Sequence, residues 1–192
     1  MTNDQEICNR IMRLRSHGIT RSPNEMTKIS DGPWYYQQLE LGYNYRLTDI
    51  QAALGVSQML RIDEFIDQRH VLAEQYNNLF TGTYVRTPWQ NPSSFSANHL
   101  YIVRLKNNLI GYNRKDVFER LRSFGIMVNV HYIPLYRQPY FEAMGFKFTD
   151  FPEAEAYYQE AISLPIYPSL TEAQQVKVVD IILHSTGHQT LF

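Results

Sequence analysis

The sequence predicts an α/β fold, and three patterns indicate this class. Residues 100–105 form a short run of apolar and β-branched side chains, which is typical of a strand. A helical pattern follows, opened by Asn113 and closed by Gly125. Residues 126–132 then alternate between two faces with the period expected of a second strand. Strand, helix and strand in this order predict a small α/β layer.

The chain in front of this layer begins with a helical pattern. Ile7, Ile11 and Leu14 recur at helical spacing after possible caps at residues 2–4, and we expect Gly18 to end this helix. No strand pattern accompanies it. We therefore interpret the opening helix as an element whose sheet is missing.

Two capping boxes predict the starts of two further helices. Residues 48–51 read Thr-Asp-Ile-Gln and residues 171–174 read Thr-Glu-Ala-Gln. In each box, the side chain of the first residue can accept a hydrogen bond from the backbone amide of the last residue, and the side chain of the last can accept one from the backbone amide of the first. Ile50, Ala53 and Leu54 form the apolar stripe that we expect the first of these helices to bury.

Two more helices are predicted between these boxes. A longer apolar stripe runs over residues 62–80, and Arg69 interrupts it. We expect the charge of Arg69 to reach solvent from an apolar stem. Pro152 is expected to open a helix that ends near Ile162.

Composition excludes several classes of protein. The net charge of -1, from 18 basic and 19 acidic residues, gives no excess that would favour nucleic acid or anionic membrane. One cysteine, Cys8, excludes an internal disulfide, and the six histidines are too scattered to predict a metal site. No apolar run approaches the ~20 residues of a membrane span, and no signal peptide opens the chain. We therefore expect a cytoplasmic protein.

A long connection, residues 19–46, carries the first candidate site. Connections of this length in a compact domain are usually functional or disordered, and the aromatic residues in this one favour function. Asn44 and Arg46 come just before a helix start, where an amide, a guanidinium and the helix dipole together can hold an anion. A structural alternative also fits the spacing, in which Arg46 pairs with Glu40 and Asn44 closes a turn after Gly42.

Other polar and aromatic residues leave two interpretations open. His131 and Tyr132 end the second predicted strand, where α/β units place ligand groups, but His131 could equally be a histidine at the core edge bonded to a carbonyl. Residues 34–36, Trp-Tyr-Tyr, could stack on a sugar or a base, or could form a subunit interface.

Five segments spread over nearly the whole chain form a recognisable set. They are Arg15-Ser16-His17-Gly18-Ile19, Leu41-Gly42-Tyr43-Asn44-Tyr45-Arg46 with its continuation to Gly55, Asn98-His99-Leu100-Tyr101, Val128-Asn129-Val130-His131-Tyr132-Ile133-Pro134-Leu135 and Ser163-Leu164-Pro165-Ile166-Tyr167-Pro168. In this order and spacing they resemble the DegT/DnrJ/StrS family of nucleotide-sugar aminotransferases, and the second segment is the most specific.

The resemblance implies a pyridoxal phosphate (PLP)-dependent transferase of fold type I. Within the family the chain is most similar to the pseudaminic-acid branch, which transfers an amino group from glutamate to C4 of a UDP-linked 4-keto-6-deoxy-N-acetylhexosamine. Such sugars enter surface polysaccharides or flagellin glycans. The cofactor would serve as the electron sink for this exchange.

The resemblance also implies that this chain is the C-terminal half of the family's fold. The lysine that holds PLP as a Schiff base lies upstream of the matched segments in the family, and the five lysines here, Lys28, Lys106, Lys115, Lys147 and Lys177, match no such motif. Residues 1–60 would then end the large cofactor-binding domain, with a loop at 19–46 that reaches a partner subunit. Residues 61–192 would form the small α/β domain.

The family assigns roles to the candidate residues. Asn44 would contact the cofactor phosphate of the neighbouring subunit, with Arg46 as an anion or loop anchor beside it. The substrate would be faced by Trp34, Tyr35, Tyr43, Tyr45, His131 and Tyr132. UDP-sugar, glutamate and a second subunit, either a copy of this chain or a longer relative, are the expected partners.

Two other functions stay open. The chain could be a non-catalytic assembly or regulatory module that pairs with a full-length aminotransferase, and its own activity would then be absent. It could also be a reading frame cut short upstream.

Overall fold

The computed structural model describes residues 2–105 and 113–186. Contacts between residues divide the chain into two compact units, Met1–Leu60 (unit 1) and Arg61–Phe192 (unit 2). None of the helices in the described ranges combines the length and the apolar character that a bilayer crossing requires.

Unit 1 contains two helices and a short hairpin-like sheet. Helix α1 spans Gln5–Leu14, and helix α2 spans Asp49–Met59. Between them β1 (Ile19–Thr20) pairs antiparallel with β2 (Gln37–Gln38). Both predicted starts are confirmed, because the Asp4 side chain caps α1 and residues 48–51 form the capping box of α2.

The end of the long connection lies directly on the end of α1. Gly18 adopts a φ of +72°, and a Cβ at this position would lie 1.8 Å from the carbonyl oxygen of Glu40. A Cβ at Gly42 would lie 2.2 Å from the backbone nitrogen of Gly18. Both distances are far below any contact that a real Cβ makes, so only glycines let the two backbones approach this closely.

Ion pairs fix the same region from the side. The Glu40 carboxylate forms ion pairs with Arg13 at 3.3 Å and with Arg10 at 3.5 Å. Arg13 also forms an ion pair with Glu25 at 3.0 Å. Glu25 in turn accepts a hydrogen bond from the hydroxyl of Thr20. The start and the end of the connection are therefore both tied to α1 through Arg13.

Neither helix of unit 1 buries a residue within this chain. The apolar stripe expected to be buried on α2 is exposed, with Ile50 at 85% and Leu54 at 63% of their accessible surface. Ile7 and Ile11 of α1 are about half exposed, at 51% and 49%. The expectation of a buried stripe is therefore wrong for the chain taken alone.

Unit 2 is a three-stranded sheet with helices packed on it. Among its described residues, the α-helices and strands in chain order are α3 (Ile62–Leu79), β3 (Val85–Arg86), β4 (Tyr101–Leu105), α4 (Arg114–Ser123), α5 (Pro139–Glu142), α6 (Pro152–Glu160), β5 (Ala161–Leu164) and α7 (Glu172–Ser185). The strand order is β3-β4-β5 with antiparallel pairing, and Val103 lies opposite Ile162.

The core of unit 2 forms where α3 and α4 pack on α7, while α4 packs on β5 and α6 on β4. β4 buries alternate residues, whereas β5 buries all four. The largest fully buried apolar side chains are Tyr76, Tyr101, Val103, Leu105, Val117, Leu121, Val128, Ile162, Val179, Ile182 and Leu183. The predicted fold class, a mixed α/β layer, is confirmed.

Two local predictions for unit 2 differ from the structure. Residues 126–132 do not form a strand, because only Asn129 makes a β-bridge, to Ser163. The helix that opens at Pro152 ends at Glu160, since the next four residues pair with β4 as β5. A short, mostly apolar run suits a helix end and a buried strand equally well, so periodicity alone does not separate them.

Arg69 does not send its charge to solvent. Its guanidinium donates to the carbonyl oxygens of Asn98, His99 and Ile166, at 3.2, 3.2 and 2.9 Å. One side chain of α3 therefore holds the segment before β4 and the segment after β5. The expectation from the sequence treated the arginine as an interruption of the stripe, whereas it connects three parts of the unit.

Replacing Gly42 by alanine tests the close backbone contact in unit 1. We expect Gly42→Ala to destabilise unit 1 by at least about 2 kcal/mol, because the new Cβ overlaps the Gly18 backbone. Hydrogen exchange of residues 14–46 would measure the loss. Gly55→Ala is the matched control, since a Cβ there meets no atom within 4 Å and alanine favours a helix by about 1 kcal/mol. Equal effects of the two substitutions would contradict the account.

Candidate functional site

The segment 43–46 is held in place by its backbone. Tyr43 donates its amide to the carbonyl of Leu14 at 2.6 Å and accepts from the amide of His17 at 2.8 Å. Tyr45 donates to the carbonyl of Arg15 at 3.1 Å. These bonds make a short antiparallel pairing, with Asn44 opposite Ser16. The backbone of the candidate site is thus ordered by the end of α1.

Side chains of this segment point to two sides. The rings of Tyr43 and Tyr45 stack, with centroids 4.8 Å apart. Because side chains alternate along an extended segment, we expect Asn44 and Arg46 to lie on the side opposite the rings. All four side chains are exposed.

Asn44 and Arg46 have no hydrogen-bond or ion-pair partner among the residues that the structure describes. The structural alternative for Arg46 is wrong, since the Glu40 carboxylate is occupied by Arg13 and Arg10. An exposed amide and an exposed guanidinium on one side of an ordered segment offer several hydrogen-bond donors in a fixed place.

Helix α2 begins immediately after these donors. The Thr48 hydroxyl accepts from the Gln51 amide at 3.3 Å, and the Gln51 side chain accepts from the Thr48 amide at 3.0 Å. This capped N-terminus still carries the positive end of the helix dipole. The arrangement suits an anion with several oxygens, such as a phosphate.

The structure places the aromatic residues of the long connection differently from one another. Trp34 is 72% exposed, and its ring packs on Gly32. Tyr35 is half-buried, and its hydroxyl accepts from the side chain of Gln37 at 3.3 Å. Within the described residues no ring contact joins Trp34 or Tyr35 to the stacked pair Tyr43 and Tyr45. Of Trp34 and Tyr35, Trp34 therefore has the ring that is more exposed to solvent.

His131 and Tyr132 belong to unit 2. His131 is half-buried, and its Nδ1 lies 2.6 Å from the hydroxyl of Ser163. Tyr132 is 66% exposed. The alternative of a carbonyl-bonded histidine is wrong, because the partner is a hydroxyl. The structure therefore assembles the predicted residues in two groups, one in each unit.

Ser163 is a residue of this region that sequence reasoning missed as a site residue. It is the one hydroxyl in the run Ala161-Ile162-Ser163-Leu164, which is otherwise apolar. A polar side chain inside a buried strand needs a hydrogen-bond partner. A lone serine in an apolar run therefore indicates that another polar residue lies beside it.

The segment after Tyr132 is fastened to α6. Arg137 donates from Nε to the Glu155 carboxylate at 2.7 Å and forms a second bond to it from Nη2. Tyr136 stacks on Phe151 with a centroid separation of 4.5 Å. The bond from Arg137 lowers the pKa of buried Glu155. A cleft of about 520 Å³ opens beside this segment, lined by Tyr136, Arg137, Glu142, Gly145, Phe146, Lys147, Phe148 and Thr149.

In the described part of the chain no three His, Cys, Asp or Glu side chains come together as a metal site would require. The described candidates are thus hydrogen-bond donors, aromatic rings and one histidine.

Comparison with known families identifies the chain's relatives. The model of the DegT/DnrJ/EryC1/StrS aminotransferase family matches residues 1–183. The uncharacterised protein MJ1066 of Methanocaldococcus jannaschii is 36% identical over 94% of this chain. The spore coat polysaccharide biosynthesis protein SpsC of Bacillus subtilis is 32% identical over 94%. The UDP-4-amino-4,6-dideoxy-N-acetyl-beta-L-altrosamine transaminase of Campylobacter jejuni is 29% identical over 92%.

Solved structures agree with these relatives. The Streptococcus pneumoniae protein Spr1654 in its PMP-form superposes with a TM-score of 0.85 at 26% identity, over 97% of this chain and 46% of its own. Helicobacter pylori PseC, an aminotransferase involved in the biosynthesis of pseudoaminic acid, gives 0.82 at 26% over 97% and 47%. The chain also spans 47% of MJ1066, 47% of SpsC and 45% of the Campylobacter protein, about half of each.

Lowering the pH should reduce the stability of unit 2, because it protonates Glu155. Because the folded pKa lies below the ordinary 4.5, the carboxylate stabilises the fold above that pH and this contribution is lost as the pH falls through the folded pKa. In Glu155→Gln, urea unfolding should show a smaller difference between pH 7 and pH 4 than in the parent chain. Exposed Glu153→Gln, in the same helix turn, is the control and should retain the full difference. An unchanged acid dependence in Glu155→Gln would refute the role of this ion pair.

Proposed function

We propose, since this chain belongs to the DegT/DnrJ/EryC1/StrS aminotransferase family, that it supplies the C-terminal part of a PLP-dependent sugar aminotransferase. The amino group would pass from glutamate to C4 of a UDP-linked 4-keto-6-deoxy sugar. The transaminase activity that names the Campylobacter relative and the biosynthesis of pseudoaminic acid in which PseC takes part support this substrate class. The product would serve the biosynthesis of a surface polysaccharide or a protein-linked glycan, as the name of SpsC also suggests.

The observation that carries the proposal is the exposed pair Asn44 and Arg46 at the start of α2. Donors without partners on an ordered backbone are prepared for an anion, because no internal bond has to break before the anion binds. The guanidinium can bond two oxygens of a phosphate at once, and the amide can donate to a third. Asn44 and Arg46 would therefore hold the cofactor phosphate.

Asn44 and Arg46 fit the phosphate end of PLP as hydrogen-bond donors, and the proposal requires no covalent anchor in this chain. When bound, PLP supplies the electron sink for amino-group exchange. In this proposal the lysine that anchors it lies on another polypeptide segment, and Asn44 and Arg46 orient the cofactor from across a subunit boundary. They bind and position, and they move no proton.

The exposed helices of unit 1 support a larger assembly. Ile50 and Leu54 lie one turn apart on α2, and Ile7 and Ile11 lie one turn apart on α1, so each helix presents an apolar stripe. Burying such a side chain fully stabilises a fold by about 1.5–3 kcal/mol. We infer that these stripes pack on the rest of the large domain, of which residues 1–60 would be the last part.

Each of the two groups of aromatic and polar residues offers contacts to the substrate in this proposal. Trp34, Tyr43 and Tyr45 offer exposed faces on which a base or a sugar can stack, and the hydroxyl of half-buried Tyr35 in the same loop accepts from Gln37. His131 and Tyr132 would face the sugar nucleotide from the small domain, residues 61–192. A stacked wall also excludes water from the reacting carbon.

Reconstitution tests this function. The purified chain is mixed with the N-terminal half of a family member, PLP, glutamate and a UDP-4-keto-6-deoxy sugar, and the UDP-4-amino sugar is measured. We expect product in the mixture and none from the chain alone. Arg46→Ala should lower kcat/KM about 10- to 100-fold and Asn44→Ala about 10-fold, because each removes a hydrogen bond to a charged group.

Arg21→Ala is the control for this experiment, since Arg21 is an exposed arginine of the same connection outside the proposed phosphate site. It should leave the rate unchanged. Product formed by the chain alone, or equal losses in the Arg21 and Arg46 variants, would contradict the proposal.

A further inference from the structure

Ser163 occupies a position from which its hydroxyl cannot move far. Its amide donates to the carbonyl of Asn129 at 2.8 Å, and its carbonyl accepts from the Asn129 amide at 3.4 Å. On the other side of β5 it lies opposite Ile102 of β4. The residue is 5% exposed. Paired on both edges and buried, Ser163 holds its Oγ at a fixed point 2.6 Å from Nδ1 of His131.

Which of the two atoms, Oγ of Ser163 or Nδ1 of His131, donates the hydrogen follows from the other donors and acceptors nearby. If Nδ1 of His131 carried a hydrogen and donated it, the Ser163 hydroxyl hydrogen would need another acceptor. The described residues provide no second hydrogen bond for this hydroxyl. A buried donor left without an acceptor is costly, so the hydroxyl donates and Nδ1 accepts.

We propose that Ser163 is the positioning residue of His131, which it orients as the neutral tautomer with its hydrogen on Nε2. Nε2–H then becomes a fixed donor on the part of the ring that Ser163 does not cover. Such a donor recognises an acceptor oxygen of the substrate, a phosphate, carbonyl or hydroxyl oxygen of a UDP-sugar. This functional part rests on the proposed function, whereas the tautomer and its cause do not.

The tautomer can be read directly by nitrogen-15 NMR of the imidazoles in the full chain at a pH where they are neutral. His70 is an internal reference, because its Nε2 lies 2.7 Å from the carbonyl oxygen of Ser96, and a carbonyl can only accept. His17, which is exposed, serves as the reference for a ring in solvent. We expect His131 to match His70, with the Nε2–H form in excess by at least about tenfold.

Variants of Ser163 separate positioning from mere packing. Ser163→Ala keeps the backbone bonds of β5 but removes the hydroxyl, and the His131 signals should move toward those of His17. Ser163→Thr restores a hydroxyl and should restore the parent signals, and Ser163→Cys, with a weak donor, should fall between. A parent spectrum with the hydrogen on Nδ1, or a Ser163→Ala spectrum identical to the parent, would overturn the proposal.

A ligand titration distinguishes this proposal from the proposed function. UDP-N-acetylglucosamine, a UDP-linked N-acetylhexosamine, is added to the parent chain and to Ser163→Ala. We expect the Nε2 signal of His131 to shift in the parent and the response to weaken several-fold in the variant. If the tautomer is as stated but the ligand moves no His131 signal, the orientation by Ser163 stands and the assignment of His131 to the sugar nucleotide fails.

Discussion

The contact of two backbones at Gly18 and Gly42 is the constraint on which the candidate phosphate site depends. No side chain could occupy either position, since a Cβ would lie within 1.8 to 2.2 Å of the facing backbone. This closeness lets residues 43–45 complete hydrogen bonds with the end of α1. Asn44 and Arg46 consequently project from an ordered segment although they lie in a long connection. A loop without that contact would lose conformational entropy on binding an anion, and its affinity would be lower.

In unit 2 the candidate residue His131 is also held in place by hydrogen bonds, here through a buried serine. β5 buries all four of its residues, so its one hydroxyl, Ser163, has to be paired inside the fold. The partner is His131, which the single bridge at Asn129 brings beside the strand. Arg137 and Glu155 then fasten the chain that continues past Tyr132. In both units a polar candidate residue stands on backbone that is fixed by hydrogen bonds of its own.

Local rules in the sequence predicted the parts that depend on neighbouring residues. The capping boxes at residues 48–51 and 171–174, the strand that begins near residue 100 and the family motif are of this kind, and the structure or the comparisons confirm each. Pairings between distant segments were not readable. β5 depends on its register with β4, and the apolar stripe of α2 is exposed in this chain although its pattern predicts burial. Periodicity states that a face is apolar and does not state which surface covers it.

The central claim is that this chain orients PLP while another polypeptide segment anchors it. The most direct test is to reduce the reconstituted mixture with borohydride in the presence of PLP and to map the pyridoxyl-modified lysine by mass spectrometry. The account requires the modification on the added N-terminal half. A specific pyridoxyl group on a lysine of this chain, such as Lys28 or Lys177, would contradict it.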